Sequence, residues 1–240
     1  MSVQGTDKGI IIKNTPFSDT SLISMIYTEK NGLSSFLAKG GRRQKSQFRG
    51  KLESGFLVSF VYYRGHSAEI GVLKEVEPIE TYPEIRENIT LMDGMYSILW
   101  VLEHSPTEKK IFILAKEILK RLNSEGRIEI LPYFFMKFFK IEGIYPNLFR
   151  CHVCGEKSVS CFSTRAGGTM CRKHCTQNDL PLGEWFNLLK LIVRGYLPEL
   201  KDTNEKGFKN MMKVIIEYGE FHSGDWFHRL REILPSSIRP

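Results

Sequence analysis

All five cysteines of the chain fall in one stretch, CHVCGEKSVSCFSTRAGGTMCRKHC, residues 151–175. Cys151 and Cys154 are separated by two residues, Cys154 and Cys171 by sixteen, and Cys171 and Cys175 by three. A tight turn between closely spaced cysteines aims both thiolates at one ion, and two such pairs complete a tetrahedron of soft ligands suited to Zn²⁺. Gly155, Gly167 and Gly168 allow the chain reversals this requires. The spacing predicts a Zn²⁺ held by Cys151, Cys154, Cys171 and Cys175. His174 is the competing fourth donor, because Cys171-Arg172-Lys173-His174 is also a chelating spacing. A redox Cys-x-x-Cys would account for the first pair and leave the second without purpose. Cys161 reads as a small apolar residue beside Phe162. Four protein ligands leave no open coordination position, so the ion is expected to be structural. Such a metal contributes on the order of 10 kcal/mol to folding, comparable with a domain's whole net stability of about 5–15 kcal/mol.

A second concentration of chemistry is electrostatic. The net charge is +7, and Lys39–Lys51, KGGRRQKSQFRGK, holds six basic residues and no acid, so the other 227 residues sum to about +1. That is the pattern of an anion-binding loop in an otherwise balanced protein. Lys39, Arg42, Arg43, Lys45, Arg49 and Lys51 are the candidate phosphate contacts, arginine being able to grip phosphate oxygens in a bidentate fork. Gly40, Gly41 and Gly50 permit close backbone approach. Phe48 could stack a base or anchor the loop in a core. Contacts of this kind hold a nucleic-acid backbone without reading sequence. Six of them on a single strand give a log–log salt slope of about −4. A solvated loop that merely aids solubility is the bland alternative.

Covalent chemistry finds little support. No phosphate-cradling glycine turn followed by Lys-Ser or Lys-Thr is present. Glu77 and Glu80 form an ordinary strand-end pair, and His66, His104, His222 and His228 are scattered. The expectation is a protein that is not an enzyme.

These groups must be positioned by two kinds of element. GIIIKN (9–14), SLISMIYT (21–28), LSSFLAK (33–39), FLVSFVYY (56–63) and AEIGVLKEVE (68–77) read as five strands. The basic stretch links the third to the fourth, and Arg64-Gly65-His66-Ser67 is read as a turn. In the last strand Ala68, Ile70, Val72 and Val76 share one parity and Glu69, Glu75 and Glu77 the other. Five strands in about 70 residues suit a small closed sheet such as an OB-type barrel. From about residue 85 the period becomes helical. The stripes are Ile89, Met92, Tyr96, Leu99, Leu102; then Ile111, Leu114, Ala115, Ile118, Leu119, Leu122; then an apolar helix opened by Pro132. Trp185, Leu188, Leu189, Ile192 make a fourth, Phe208, Met211, Met212, Ile215, Tyr218 a fifth, and Trp226–Leu234 a short last one. The fold class expected is α+β: an N-terminal OB-fold barrel over 1–80, an all-helical domain over 81–150 and 176–240, and a zinc-binding module over 151–175 inserted in it. No apolar run approaches the roughly 18 residues of a membrane span, and no signal peptide is evident, so a cytoplasmic location is expected.

The stretch GLSSFLAKGGRRQKSQF (32–48) resembles the third strand and basic loop of the RecO family of bacterial recombination-repair proteins. FFMKFFKIEGIYPNLFRCHVCG (134–155) and FSTRAGGTMC (162–171) resemble that family's apolar helix, first cysteine pair and the run before its second pair. The resemblance implies an OB fold, a helical domain and a zinc module, with Lys39, Arg42, Arg43 and Lys45 in the DNA-contact role and Cys151, Cys154, Cys171 and Cys175 at the metal positions. It further implies binding of single- and double-stranded DNA, annealing of complementary strands, partnership with RecR, and contact with the C-terminal tail of single-stranded DNA-binding protein, which helps RecA load. The chain departs from the family pattern in its second pair, usually Cys-x-x-Cys and here with three intervening residues, at Gln44, where a proline is expected, and in the turn Phe17–Thr20. Lys116, Lys120 and Arg121 are candidates for the tail contact. Two alternatives belong to other classes: a zinc-stabilised protein-interaction adaptor with incidental DNA affinity, and a nuclease, for which no catalytic cluster is visible.

Overall fold

A computed structural model describes residues 2–66, 68–197 and 205–240; Ser67 of the expected turn lies outside them. By packing, the chain divides into two compact units, Met1–Ser124 and Glu125–Pro240.

In the first unit, β1 (Ser2–Pro16), β2 (Leu22–Thr28), β3 (Gly32–Ala38), β4 (Leu57–Gly65) and β5 (Gly71–Glu80) close into a barrel in the order β1-β2-β3-β5-β4. β1 is long enough to pair with both β2 and β4, and the register shift between Ile11 and Lys13 lets it turn from one to the other. β3 meets β5 in parallel at only two pairs, Phe36 with Gly71 and Leu37 with Val72. This is the topology expected of an OB-type barrel. Ile11, Ile26, Phe36, Val58, Phe60, Leu73 and Val76 fill its interior. The Phe36 ring lies 5.0 Å from Phe60 and 5.1 Å from Tyr62. A Cβ on Gly71 would come within 2.7 Å of Phe36, so only glycine lets β5 pass that ring.

The parity read for the last strand is corrected. Gly71 and Leu73 are buried, Lys74 and Glu75 exposed, and Val76 buried again. The β4–β5 register shifts between Val61 and Tyr62, so Lys74 is an extra residue that exchanges the two faces. Val72 and Val76 therefore do not share the core face.

After the short α1 (Pro83–Glu87), α2 (Ile89–His104) starts on Asn88, whose side chain accepts from the amides of Thr90 and Leu91. Its core face is Leu91, Met95, Ile98, Leu99 and Leu102, whereas Ile89 is 71% exposed and Tyr96 42%. The stripe read from sequence is therefore rotated by about one residue, because apolar side chains surround most of this helix and blur its period. α3 (Lys109–Glu125) buries Ile111, Ala115, Ile118, Leu119 and Leu122 as expected, and Phe112 besides, while Leu114 of the expected stripe is only half-buried. The Tyr27 hydroxyl donates to the Pro106 carbonyl at 2.6 Å, tying the barrel to the α2–α3 connection.

In the second unit, α4 (Ile130–Ile141) begins two residues before Pro132 and buries Phe134, Phe135, Phe138 and Phe139. It packs on α5 (Glu184–Val193) and α6 (Glu205–His222). Phe139 lies 5.3 Å from Tyr218, and Phe135 5.7 Å from Phe227 in the 3-10 segment Asp225–Arg229 that leads into α7 (Leu230–Ile233). Between α4 and α5 the chain leaves the bundle to form β6 (Cys161–Ser163), β7 (Gly168–Met170) and β8 (Leu180–Pro181), a small sheet in the order β7-β6-β8. None of the described helices is long and apolar enough to cross a membrane.

Candidate metal centre and nucleic-acid interface

The cysteine module is built from two turns and a hairpin. In the first turn Gly155, at φ +75°, donates to the Cys151 carbonyl at 2.9 Å, and the Cys151 amide donates to the Glu156 carbonyl at 2.7 Å. In the second, the amides of His174 and Cys175 both donate to the Cys171 carbonyl. The β6–β7 hairpin delivers Cys171 immediately after β7, and His152 and Thr169 lace the two halves through an amide-to-carbonyl bond of 2.8 Å. Gly168 is required here: a Cβ would stand 2.5 Å from the Asn147 carbonyl oxygen.

Four donor atoms converge within 4.8 Å of one another, those of Cys151, Cys154, Cys171 and His174. His174 Nδ1 is 3.4 Å from the Cys151 sulfur and 3.3 Å from that of Cys171, and the Cys154 and Cys171 sulfurs are 3.8 Å apart. A tetrahedral Zn²⁺ with its usual bond lengths separates two sulfurs by about 3.8 Å and a sulfur from a nitrogen by about 3.6 Å. The donors are thus spaced as such an ion needs them. The fourth position is occupied by His174 instead of the favoured Cys175, whose sulfur is joined to Cys161. Cys161 is therefore not the isolated apolar residue expected.

The thiols are electrostatically frustrated without a cation. Desolvation opposes ionisation of Cys151, but the amides of Cys171, Cys154 and Val153 and the His174 side chain outweigh it and lower its pKa to about 5. For Cys154 the Glu156 amide favours the thiolate, while desolvation and the neighbouring Cys151 and Cys171 sulfurs more than offset it and raise the pKa. One thiolate forms readily and the next is resisted, a conflict that a central dication removes.

The 39–51 stretch occupies the β3–β4 connection as expected. It is a succession of tight turns, with amide-to-carbonyl bonds from Gly41 to Ala38, Arg43 to Gly40, Ser46 to Arg43, Arg49 to Ser46 and Lys51 to Phe48. Phe48, with Leu52 and Phe56, is part of the barrel core. Of the two roles open to Phe48, the structure shows the anchor: it is 3% exposed and offers no face to a base. The Arg42 amide and guanidinium donate to the carbonyls of Thr20 and Ser18, both at 2.8 Å, and Gln47 donates to the Lys74 carbonyl at 2.9 Å. Lys39, Arg42, Arg43, Lys45 and Arg49 are exposed, and among the described residues none of them pairs with a carboxylate. Lys51 differs: its ammonium is 2.6 Å from Glu77. Sequence reasoning also passed over Arg64, read only as a turn residue. Its guanidinium lies 5.2 Å from the Phe36 ring and 5.6 Å from Tyr62, three residues from the start of the loop by way of Phe36.

The remaining candidates are dispersed. Lys116 and Lys120 are exposed on α3. His104, His222 and His228 are each engaged by a backbone carbonyl, of Trp100, Thr164 and Asp225 respectively. Glu77 is held by Lys51.

Comparison with known proteins gives a consistent result across the chain. The family model described as recombination protein O N terminal matches residues 1–82, and that described as recombination protein O C terminal matches residues 100–231. The DNA repair protein RecO of Listeria innocua is 25% identical over 232 residues, covering 90% of this chain and 89% of the relative. Those of Rubrobacter xylanophilus and Alkaliphilus metalliredigens are 30% and 28% identical over 173 and 175 residues, each covering 69% of this chain and 69% and 70% of the relative.

Proposed function

The chain belongs to the recombination protein O family and is a RecO-family DNA repair protein, and from that premise we propose that it binds single- and double-stranded DNA through the 39–51 loop and anneals complementary strands. With RecR it helps RecA load onto strands coated by single-stranded DNA-binding protein, whose C-terminal tail it contacts, and it acts in the cytoplasm on the nucleoid. The observation that supports this reading is the set of five exposed cations, Lys39, Arg42, Arg43, Lys45 and Arg49, which have no carboxylate partner among the described residues and stand on turns that Phe48 seats in the barrel. Two strands repel through their phosphates. A fixed cationic surface lowers that repulsion and concentrates both strands, so pairing follows without covalent chemistry or bound nucleotide, and the protein is a mediator, not an enzyme. Contacts to phosphates suit annealing because they are indifferent to sequence.

In this reading Cys151, Cys154, Cys171 and His174 hold a Zn²⁺. The ion supplies crosslinking between the two turns, with no open position for a reactant. The decisive experiment is annealing of complementary oligonucleotides by the Arg42→Glu/Arg43→Glu variant. Annealing should fall to the uncatalysed rate while the fold, followed by circular dichroism, is retained; undiminished annealing would refute the role of the loop.

A further inference from the structure

Two of the five cysteines stand outside the converging donor set and are joined to each other, with Cα atoms 6.0 Å apart. The loop this bond closes contains Cys171 and His174, two of the four donors. Cys175 directly follows His174, and the amides of both donate to the Cys171 carbonyl, at 3.0 and 2.9 Å, so the two side chains leave one tight turn. The Cys175 side chain packs against the buried group formed by Cys151, Cys161, Met170 and Cys171. A sulfur at ligand spacing, beside two of the ligands, is therefore withheld from the ion by its bond to Cys161.

We propose that Cys161 and Cys175 are a reversible thiol–disulfide site whose state selects the fourth metal ligand, His174 when the pair is oxidised and Cys175 when it is reduced. This rests on the reading of the cluster as a zinc site. Both ligand sets are closed tetrahedra, and a thiolate is the softer and more basic donor, so a freed Cys175 displaces the neutral imidazole. The exchange leaves the ion four-coordinate and adds one negative charge to the site.

The co-substrate class is a low-molecular-weight disulfide, with oxidised glutathione as the probe. Cys175 is half-buried and Cys161 is buried, so Cys175 is the sulfur within reach of solvent. Its thiolate attacks one sulfur of the probe, forming a mixed disulfide and releasing one glutathione thiolate. The Cys161 thiolate then attacks Cys175, forming the internal bond and releasing the second. The pair thus loses two electrons and, because reduced Cys175 is the metal's thiolate, one proton; the small disulfide gains the two electrons and, with a second proton from water, leaves as two thiols, while His174 takes the coordination place that Cys175 gives up. Reduction by glutathione is the reverse. A cavity of about 1050 Å³ lined in part by Met170, His174, Thr176 and Asp179 opens beside the residues flanking Cys175, which is room enough for a tripeptide.

The test uses the full chain. Alkylation after denaturation with a chelator, counted by intact mass, should find three reactive thiols following equilibration with oxidised glutathione and five following reduced glutathione; five in both overturns the proposal. With Co²⁺ as the probe metal, thiolate-to-metal absorption of the wild type should rise by about one third on reduction, as three thiolates become four. His174→Ala should bind one Co²⁺ when reduced and at least tenfold more weakly when oxidised. Equal affinity in the two states overturns the selection; if that variant does not fold, the wild-type spectrum decides. A wild type that binds Co²⁺ with the same spectrum in both states overturns the selection alone. One that binds none in either state overturns the zinc reading and the selection with it.

Discussion

The salt dependence of DNA binding should report how many loop cations are available, residue by residue. Each single-strand phosphate neutralised contributes about −0.7 to the slope of log affinity against log salt. Six basic residues lie in the loop, but Lys51 is already compensated by Glu77 at 2.6 Å. Moving Lys51 to a phosphate would leave that carboxylate beside the same polyanion, so it adds little. Five free cations give a slope of about −3.5, an affinity loss of about 130-fold between 50 and 200 mM salt. Arg42→Ala/Arg43→Ala should lower the slope to about −2.1 and the loss to about 20-fold. The Arg42 turn keeps its amide bond to the Thr20 carbonyl and loses only the guanidinium bond to Ser18. Lys51→Ala should leave the slope near −3.5. Fluorescence anisotropy of labelled oligo-dT, titrated at four salt concentrations, measures all three. An unchanged slope in the double variant, or an equal drop in Lys51→Ala and an Arg43→Ala single variant, would refute this accounting.

Other outcomes follow from the core, the metal module and one carboxylate. Removing the ion with a strong chelator should release one metal per chain and make the 147–182 segment the first site of protease cleavage; unchanged proteolysis would show that the module needs no metal. Phe48→Ala should lower stability by about 3–5 kcal/mol in urea unfolding, whereas Phe48→Leu should keep most stability and all DNA affinity; a Leu variant that is stable yet loses affinity would mean that the ring stacks a base after all. Desolvation pushes the Asp179 carboxyl up, but the Ser163 side chain and the Thr176 amide and hydroxyl outweigh it and hold it below its usual range. Its stabilisation is therefore present above the unfolded-state pKa and lost as pH falls through the lower folded value. Asp179→Asn should be less stable at pH 7 and flatter on the acid side of a urea-midpoint profile, and an identical profile would count against that role.

Much of this architecture was legible because period and spacing are local properties. The five strands, the α3, α5 and α6 faces and three of the four convergent donors could be read from neighbours in the chain. What could not be read depends on contacts between distant residues. One extra residue at Lys74 inverts the faces of β5, and nothing in AEIGVLKEVE marks it. The engagement of Lys51, in the β3–β4 connection, requires Glu77 on β5, twenty-six residues on. The choice of His174 over Cys175 depends on where Cys161 sits, fourteen residues away. The face of α2 was misread for the opposite reason: its apolar residues are too many for the pattern to single out one side.

Beyond its two pairs with β3, β5 from Leu73 to Glu80 has β4 along one side and, among the described residues, no strand along the other. The charged connection covers that flank, through Gln47 on the Lys74 carbonyl and Lys51 on Glu77. Gln47 and Lys51 therefore also guard that strand edge, the kind of surface through which β-proteins aggregate. Any change that lifts this connection away should first be seen as self-association, before a loss of grip on DNA.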